Sequence, residues 1–221
     1  LERPTPNTAL VFNASFPGQQ SGRAFERFTE NGPLAVLPLQ TLSHADQRYN
    51  VVWSVSNSTA TTFGDLDDEA FRNHFQDAFG WRLGRVQAVG RRSQWPLMRL
   101  SASEQFRAGF LLVGNAAHTL HPVAGQGLNL SLREAGLLAQ AIADAQQRSA
   151  AIGCSASLKT YLDQVSDEQR LVVDSTDALA TLFNRRGPLL DVPRDASLAL
   201  LDLLPAVRQQ VASVGTGRRY A

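Results

Sequence analysis

The chain has 221 residues, with 21 Lys and Arg against 20 Asp and Glu, a formal net charge of +1 and 43% hydrophobic residues. This balance excludes a mostly disordered chain and argues against a dedicated nucleic-acid-binding protein, so we expect no nucleic-acid partner. The single cysteine, Cys154, excludes an intrachain disulfide and any zinc or iron–sulfur site built on paired cysteines, which favours a reducing, cytoplasmic location.

The first half of the chain is predicted to be rich in β-strands. One helix interrupts them, because Phe71, Phe75 and Phe79 recur at every fourth position, the spacing of one helix face. Asp67 is placed to cap the start of this helix and Gly80 its end. Apolar or alternating runs between Pro and Gly turn signals predict strands at residues 8–16, 23–28, 34–39, 49–55, 83–89 and 95–100, with a weaker one at 59–63.

The second half is predicted to be helical after a short apolar strand at residues 110–113. Leu- and Ala-rich or periodic segments predict helices over residues 126–147, 157–184 and 195–211, the last divided by Pro205. Strands segregated from helices indicate an α+β fold. We expect a mostly antiparallel sheet with one small helix, then a strand–loop–helix segment and C-terminal helices.

The segment at residues 111–133, LLVGNAAHTLHPVAGQGLNLSLR, carries the clearest functional signal. A buried strand is predicted to end at Gly114, a loop follows, and a long helix begins near Gln126, between Gly125 and Gly127. Glycines allow backbone to approach a ligand closely, and a helix start offers unpaired N–H groups. Judged by spacing alone, the pattern fits a ligand-binding loop and equally an ordinary glycine-assisted helix start.

The stretch GNAAHTLHPVAGQGLNLSLREA resembles the second FAD-binding motif of the flavin-dependent aromatic hydroxylases, the class A monooxygenases of the para-hydroxybenzoate hydroxylase type. Together with GRAFERFTENGPLAVLPL, FGWRLGRV and TDALATLFNRRGPLL, it resembles the ubiquinone-biosynthesis branch of that family. The resemblance covers residues 8–211. It implies FAD as the cofactor, NADPH or NADH as the reductant, and O2 as the oxidant that hydroxylates a polyprenylated methoxyphenol.

The resemblance also implies which residues bind FAD. Gly114 and Asn115, where the family usually has Gly-Asp, would lie at the ribityl–pyrophosphate region, and Pro122 against the isoalloxazine ring. The backbone N–H groups of residues 125–129 would face the pyrimidine edge of the flavin. The implied cofactor-binding residues are Gly114, Asn115, Ala116, Ala117, His118, Pro122, Gly125, Gln126, Gly127, Leu128 and Asn129.

The substrate is expected on the sheet of the first half, in a substrate-binding domain over residues 1–108. Residues 109–150 would form part of the FAD-binding domain, and residues 151–221 a helical region. Plain core packing is the alternative interpretation of the apolar strand residues, and no catalytic residue is assigned. The candidate substrate-binding residues are Leu37, Pro38, Leu39, Val51 and Trp53.

The sequence departs from the family in one large respect. It contains no GxGxxG, the motif with which the family holds the ADP part of FAD, and no upstream Asp-Gly motif. We therefore expect a C-terminal part of such an enzyme, with an incomplete FAD site and no activity by itself. Two alternatives stay open: a sibling hydroxylase of the same pathway acting on another ring carbon, and a non-catalytic short form that binds a prenyl lipid or serves as a scaffold.

Other polar features have simpler interpretations. His118 and His121 lack further ligands at a suitable spacing, so no metal site is expected, and no G-x-S-x-G elbow supports a serine hydrolase. The basic pairs at residues 91–92 and 185–186 are interpreted as solvated surface. The segment at residues 198–211 is interpreted as a packed helix, with contact to the inner membrane surface as the open alternative. Contact with other ubiquinone-biosynthesis proteins is an open alternative for the chain as a whole.

Overall fold

The computed structural model describes residues 2–18, 22–40, 46–107, 109–120, 126–153 and 155–184. The chain forms two compact units, Pro4–Met98 and Arg99–Ala221 with Leu1–Arg3. The expected division into three parts, with boundaries after residues 108 and 150, stays a prediction. The first-unit elements are β1 Glu2–Pro17, β2 Phe25–Thr29, β3 Gly32–Pro38, β4 Asp46–Ser56, α1 Asn57–Asp65, α2 Asp68–Phe79, β5 Ala88–Val89 and β6 Ser93–Ser101.

An antiparallel sheet forms the frame of the first unit, with strands in the order β2-β3-β4-β1-β6 and β5 paired to β1. Side chains alternate across the sheet, so Phe12 of β1 and its partner Val51 of β4 point to the same face. That face packs against α1 and α2. The fully or almost fully buried core comprises Leu10, Phe12, Ala14, Phe16, Leu34, Val36, Tyr49, Val51, Trp53, Val55, Ala60, Phe63, Phe71, Phe75, Phe79 and Val86.

The helix predicted from the Phe repeat is confirmed as α2. The Asp67 side chain accepts a hydrogen bond of 2.7 Å from the backbone N–H of Ala70, as an N-cap should. Phe71 and Phe75 contact Phe12 edge to face, with ring centroids 4.9 and 5.1 Å apart. The helix therefore covers the sheet with an aromatic layer.

Residues 59–63, predicted as a weak strand, belong instead to helix α1. The Ser56 side chain accepts a hydrogen bond of 3.1 Å from the backbone N–H of Thr59 and so starts the helix directly after β4. Ala60 and Phe63 then pack into the core. This tertiary contact outweighs the β preference of the Thr residues, and the first unit contains two described helices where one was expected.

Two further expectations in the first unit need correction. The strand predicted at residues 83–89 is confined to Ala88–Val89 in the described structure. Arg92 is not a solvated surface residue: its guanidinium lies 4.8 Å from the ring centroid of Phe71 and donates to the Leu66 carbonyl at 2.9 Å. Arg91 is exposed, as expected for its half of the basic pair.

The second unit is a strand–loop–helix segment followed by a long helix. Its elements are β7 Phe106–Arg107, β8 Phe110–Leu111, a 3-10 turn at Gly114–Ala116, β9 His118–Thr119, α3 Gln126–Gln147 and α4 Ser155–Asn184. The end of β6 pairs with β9, and β7 pairs with β8. The predicted buried strand at residues 110–113 is shorter than expected, and the Phe110 side chain is 58% exposed.

Helix α3 has the predicted bounds, and α4 begins two residues before its predicted start. The expected helix at residues 195–211 and the basic pair at 185–186 lie outside the described residues. Within the described part of the chain, no helix combines the length and apolarity needed to cross a bilayer.

Candidate functional site

A tight turn at Gly114 joins the short strands to the loop of the candidate FAD motif. Gly114 has φ +60°, a conformation that costs little only for glycine. A Cβ at this position would lie 3.1 Å from Oγ and 3.3 Å from Cβ of Ser131 on α3. Ala117 closes the turn by donating its N–H to the Gly114 carbonyl at 2.9 Å. The backbone conformation therefore favours glycine here, and the close approach of Ser131 adds to that preference.

A buried carboxylate of α3 holds this turn from inside. Glu134 is 1% exposed, and its Oε2 accepts the backbone N–H of Gly114 at 3.1 Å. Its Oε1 lies 2.6 Å from Nε2 of His118, which is 4% exposed. Because a carboxylate only accepts hydrogen bonds, Nε2 of His118 is the donor. The Nδ1 atom of His118 is buried and has no hydrogen-bond partner among the described residues.

Helix α4 contributes the third donor to the same carboxylate. Nε2 of Gln169 lies 2.7 Å from Oε1 of Glu134. The amide of Gln169 also pairs with the amide of Gln105, with N···O distances of 3.0 and 3.2 Å. A cavity of about 280 Å³, lined in part by Gln105, His118 and Gln169, adjoins this end of the network. The network thus joins the loop, α3, α4 and the segment before β7.

The electrostatics favour an ionised Glu134. Burial raises the pKa of Glu134 and is the largest single influence on it. The hydrogen bonds from His118, Gln169 and Gly114, with the charge of His118, together outweigh burial and hold the pKa below its ordinary value. Burial, followed by the charge of Glu134, raises the pKa of the nearby Tyr161 to about 12. Hydrogen bonds to the charged form therefore determine the direction of the pKa shift of Glu134.

A second polar pair links the same two helices. Arg133 of α3 donates through Nε to the carboxylate of Glu168 on α4. Their side chains are 22% and 13% exposed. Adjacent residues on both helices therefore make two different connections: one supports the Gly114 turn, and the other only joins α3 to α4.

Some of the predicted cofactor-binding residues are buried in the structure and others are exposed to solvent. Gly114, Ala117 and His118 are buried, and the Gly114 N–H and the His118 ring are engaged by Glu134. Gln126 begins α3, Gly127 is half-buried, and Pro122 and Gly125 lie outside the described residues. The members exposed for contact with a ligand are Asn115, Ala116, Leu128 and Asn129.

The exposed part of the loop and the start of α3 offer polar groups to a ligand. Asn115 and Asn129 offer uncharged donors and acceptors, and the first turn of α3 has backbone N–H groups without intrahelical partners. Such a helix start favours electron-rich ligand atoms. Among the described residues, no three His, Cys, Asp or Glu side chains come together as metal ligands, and His121 lies outside them.

Sequence reasoning missed Glu134, Gln169 and Gln105 as site residues. A signal was present for Glu134, because it lies four positions after Leu130, on the same face of α3, and both are buried. An acidic residue in an apolar register needs a partner. Nothing local marks the amides of Gln169 and Gln105, whose meeting depends on how α4 packs.

The candidate substrate-binding residues lie on two opposite faces of the sheet. Val51 and Trp53 are fully buried in the core beneath α1 and α2, so we do not retain them as substrate contacts. Leu37 is 41% exposed on the other face, and Pro38 and Leu39 are half-buried. In the register of the strands, Leu37 lies beside Asn50.

The face that carries Leu37 also has a polar centre. Asn50 pairs with Asn13 of β1, and its Nδ2 donates to Oδ1 of Asn13 at 3.3 Å. Val52, Val11 and Ala35 continue the same face as half-buried small side chains. We call the set Asn13, Asn50 and Leu37 the open sheet face. It combines amide groups with apolar surface.

Comparison with known proteins defines the class. A family model described as an FAD binding domain matches residues 7–176, which is most of the chain. The chain therefore belongs to this FAD-binding family, and the prediction of FAD as the cofactor is confirmed at the level of the family.

Similar proteins of known name indicate which branch of the FAD-binding family the chain resembles. The chain is 33% identical over 177 residues to the ubiquinone hydroxylase UbiL of Rhodospirillum rubrum, covering 80% of this chain and 40% of that protein. It is 27% identical over 210 residues to 3-demethoxyubiquinol 3-hydroxylase of Escherichia coli, covering 95% of this chain and 52% of the relative. The predicted similarity to ubiquinone-biosynthesis hydroxylases is confirmed, and the chain spans about half the length of these relatives.

Solved structures confirm the fold. The structure of p-nitrophenol 4-monooxygenase PnpA from Pseudomonas putida DLL-E4 matches with a TM-score of 0.69, covering 97% of this chain and 53% of that one. The sequence identity is 16%, so the likeness concerns the fold alone. The predicted α+β fold of the para-hydroxybenzoate-hydroxylase type is confirmed.

Proposed function

We propose that this chain supplies the substrate-binding sheet and the flavin-side part of the cofactor site of an FAD-dependent monooxygenase that hydroxylates an aromatic ring in ubiquinone biosynthesis. The observation that carries the proposal is the Gly114 turn leading into α3. In a chain that belongs to an FAD-binding family, this segment carries the exposed amides of Asn115 and Asn129 and the start of a long helix.

Bound FAD, once reduced by NADPH or NADH, supplies the activation of O2 and the transfer of one oxygen atom to the ring. The residues of this chain would bind and orient the cofactor and the substrate. Asn115 and Asn129 would hydrogen-bond the flavin, and the start of α3 would favour negative charge on its reduced form. No side chain of the chain is required as a nucleophile in this scheme.

The open sheet face would hold the substrate. Its amides, Asn13 and Asn50, can donate to and accept from the hydroxyl and methoxy oxygens of a phenol ring, while Leu37 offers apolar contact. We propose a polyprenylated methoxyphenol of the 2-octaprenyl-6-methoxyphenol type as the substrate. The names of the relatives support the pathway, and the composition of this face supports an oxygen-substituted ring.

The proposal is tested by loading the protein with FAD, removing free cofactor and recording visible absorption. The experiment compares this chain with the protein expressed from the whole reading frame. We expect the protein expressed from the whole reading frame to retain flavin. We also expect it to oxidise NADPH or NADH when the methoxyphenol is added. Absence of retained flavin from both proteins would contradict the proposal and favour a prenyl-lipid-binding or scaffold role.

Variants locate the site. Asn115→Leu and Asn129→Leu each remove an exposed amide next to the proposed flavin site, and each is expected to weaken FAD binding about tenfold. Gln140→Leu removes an exposed amide further along α3, whose Nε2 donates to Asp144 at 2.8 Å, and should leave binding unchanged. Equal losses in all three variants would remove the loop–helix segment from the proposed site.

A further inference from the structure

The Gly114 turn is held on two sides. On one side, a Cβ at Gly114 would lie in tight contact with Ser131, at 3.1 Å from Oγ and 3.3 Å from Cβ, so the turn lies close to α3. On the other side, Glu134 takes the Gly114 N–H, the only backbone donor of that residue. Asn115 follows immediately and is exposed. The direction in which Asn115 projects therefore depends on a contact made one residue earlier, inside the unit.

The carboxylate that makes this contact is itself fixed from three directions. The His118 ring and the Gln169 amide both donate to Oε1, and the Gly114 N–H donates to Oε2. With both oxygens engaged, the carboxylate cannot rotate without breaking at least one buried hydrogen bond, which is costly in an apolar interior. The hydrogen bond from Gly114 to Glu134 therefore fixes the position of the Gly114 backbone.

We propose that Glu134 is a positioning residue of the cofactor site: it fixes the Gly114 turn and so aims Asn115, and Gln169 of α4 holds the carboxylate in place. The inference rests on the proposed function, because it concerns the same loop. It adds that helix α4, which carries no predicted cofactor contact, controls the geometry of the loop through one amide. Glu134 does not contact the cofactor in this scheme.

The chain offers a matched control. Glu168 also joins α3 to α4, but the partner that it has among the described residues is Arg133. Glu134→Gln removes the charge with almost no change in shape, and Glu168→Gln does the same in the neighbouring pair. A purely structural role, the joining of two helices, predicts similar behaviour of both variants. Positioning predicts that only Glu134→Gln alters the loop.

The experiment uses 1H–15N spectra of this chain, with titration of FAD into this chain and into the protein from the whole reading frame. In Glu134→Gln we expect the Gly114 and Asn115 amide resonances to move, Gly114 N–H exchange to accelerate, and the FAD dissociation constant to rise about tenfold. In Glu168→Gln the Gly114 resonance should stay in place and FAD binding should remain within about twofold.

A second variant keeps the inference testable if Glu134→Gln unfolds. Gln169→Leu leaves the carboxylate and its bond to Gly114 but removes one of its three donors. It should shift the Gly114 and Asn115 resonances in the same direction by a smaller amount, with helical circular dichroism retained. Rescue of FAD affinity by Gln169→Asn, relative to Gln169→Leu, would further support positioning through the amide.

The outcomes separate the two proposals. If wild-type protein binds FAD and Glu134→Gln binds it equally well with an unmoved Gly114 resonance, the inference is overturned and the proposed function stands. If both glutamine variants lose affinity equally, Glu134 is only a structural residue and the inference is again overturned. If neither this chain nor the protein from the whole reading frame binds FAD, the proposed function fails, and with it the cofactor role of Glu134.

Discussion

The interiors of the two units of this chain are built from different kinds of residues. In the unit Pro4–Met98, the interior is an apolar layer of Phe, Tyr and Trp rings between the sheet and two helices. In the unit that begins at Arg99, the interior contains an ionised Glu134 surrounded by His118, Gln169 and the Gly114 N–H. Both interiors bury apolar side chains, but among the described residues only the second also buries a carboxylate.

The two interiors differ in how strongly they depend on exact atomic positions. An aromatic core tolerates small shifts because its attraction has little direction. A buried carboxylate does not, since losing one donor leaves an unsatisfied charge in an apolar setting. The polar interior lies directly behind the loop that we propose to hold the flavin. The following changes should distinguish the two interiors, since the three tryptophans, Trp53, Trp81 and Trp95, all report on the first unit.

The largest effect is expected from Phe75→Ala. Phe75 is fully buried and its ring contacts Phe12, Phe16, Trp53 and Phe79. The cavity left behind should lower the free energy of unfolding of the sheet unit by about 4 kcal/mol, measured by urea denaturation with tryptophan fluorescence. Phe28→Ala, at a position 36% exposed, serves as the control. A similar loss in both variants would contradict the packed aromatic core.

Glu134→Ala should have the next largest effect, in the other unit. It strands the His118 ring, the Gly114 N–H and the Gln169 amide without their acceptor. We expect a loss of about 3 kcal/mol, seen in the far-UV circular dichroism of the helices during urea denaturation. Glu104→Ala, an exposed residue of the same unit, should show no measurable loss. Unchanged helix stability in Glu134→Ala would show that the network is not structural.

The pH dependence of the helical unit should follow Glu134. Its pKa in the folded protein lies below the ordinary value of 4.5, so its stabilising contribution is complete above that value. The contribution should be lost as the pH falls from 4.5 through the lower, folded pKa. Thermal melts across this range should show a steeper acid limb in wild type than in Glu134→Gln. Parallel curves would mean that Glu134 is not held ionised by its donors.

The smallest effect is expected from Ser56→Ala, which removes the N-cap of α1. It should cost about 1 kcal/mol in the stability of the sheet unit, measured by tryptophan fluorescence. Ser58→Ala, an exposed position in the first turn of the same helix, should change stability by less than about 0.5 kcal/mol. If Ser56→Ala had no effect, the capped helix at residues 57–65 would be in question.

Elements that depend on interactions between residues close in sequence were predictable, and elements that depend on distant contacts were not. Helix α2 was predictable because Asp67 and the Phe repeat act within one helix, and α3 because its apolar periodicity runs unbroken over its length. Helix α1 was mistaken for a weak strand because local β preference of Thr residues competes with the Ser56 cap and the burial of Phe63, which only the packed protein supplies. The burial of Val51 and Trp53 likewise required knowing which face of the sheet the helices cover.

The sequence by itself determined the family, the α+β architecture and the segment that we propose as the cofactor motif, because these depend on residue types at short spacings. The tertiary structure alone decided what supports that motif. Glu134 lies 20 residues from Gly114 and 35 from Gln169, yet all three meet at one carboxylate. Such a meeting follows from how α3 packs against the turn and α4, because a buried charge takes its partners from whatever surrounds it in space.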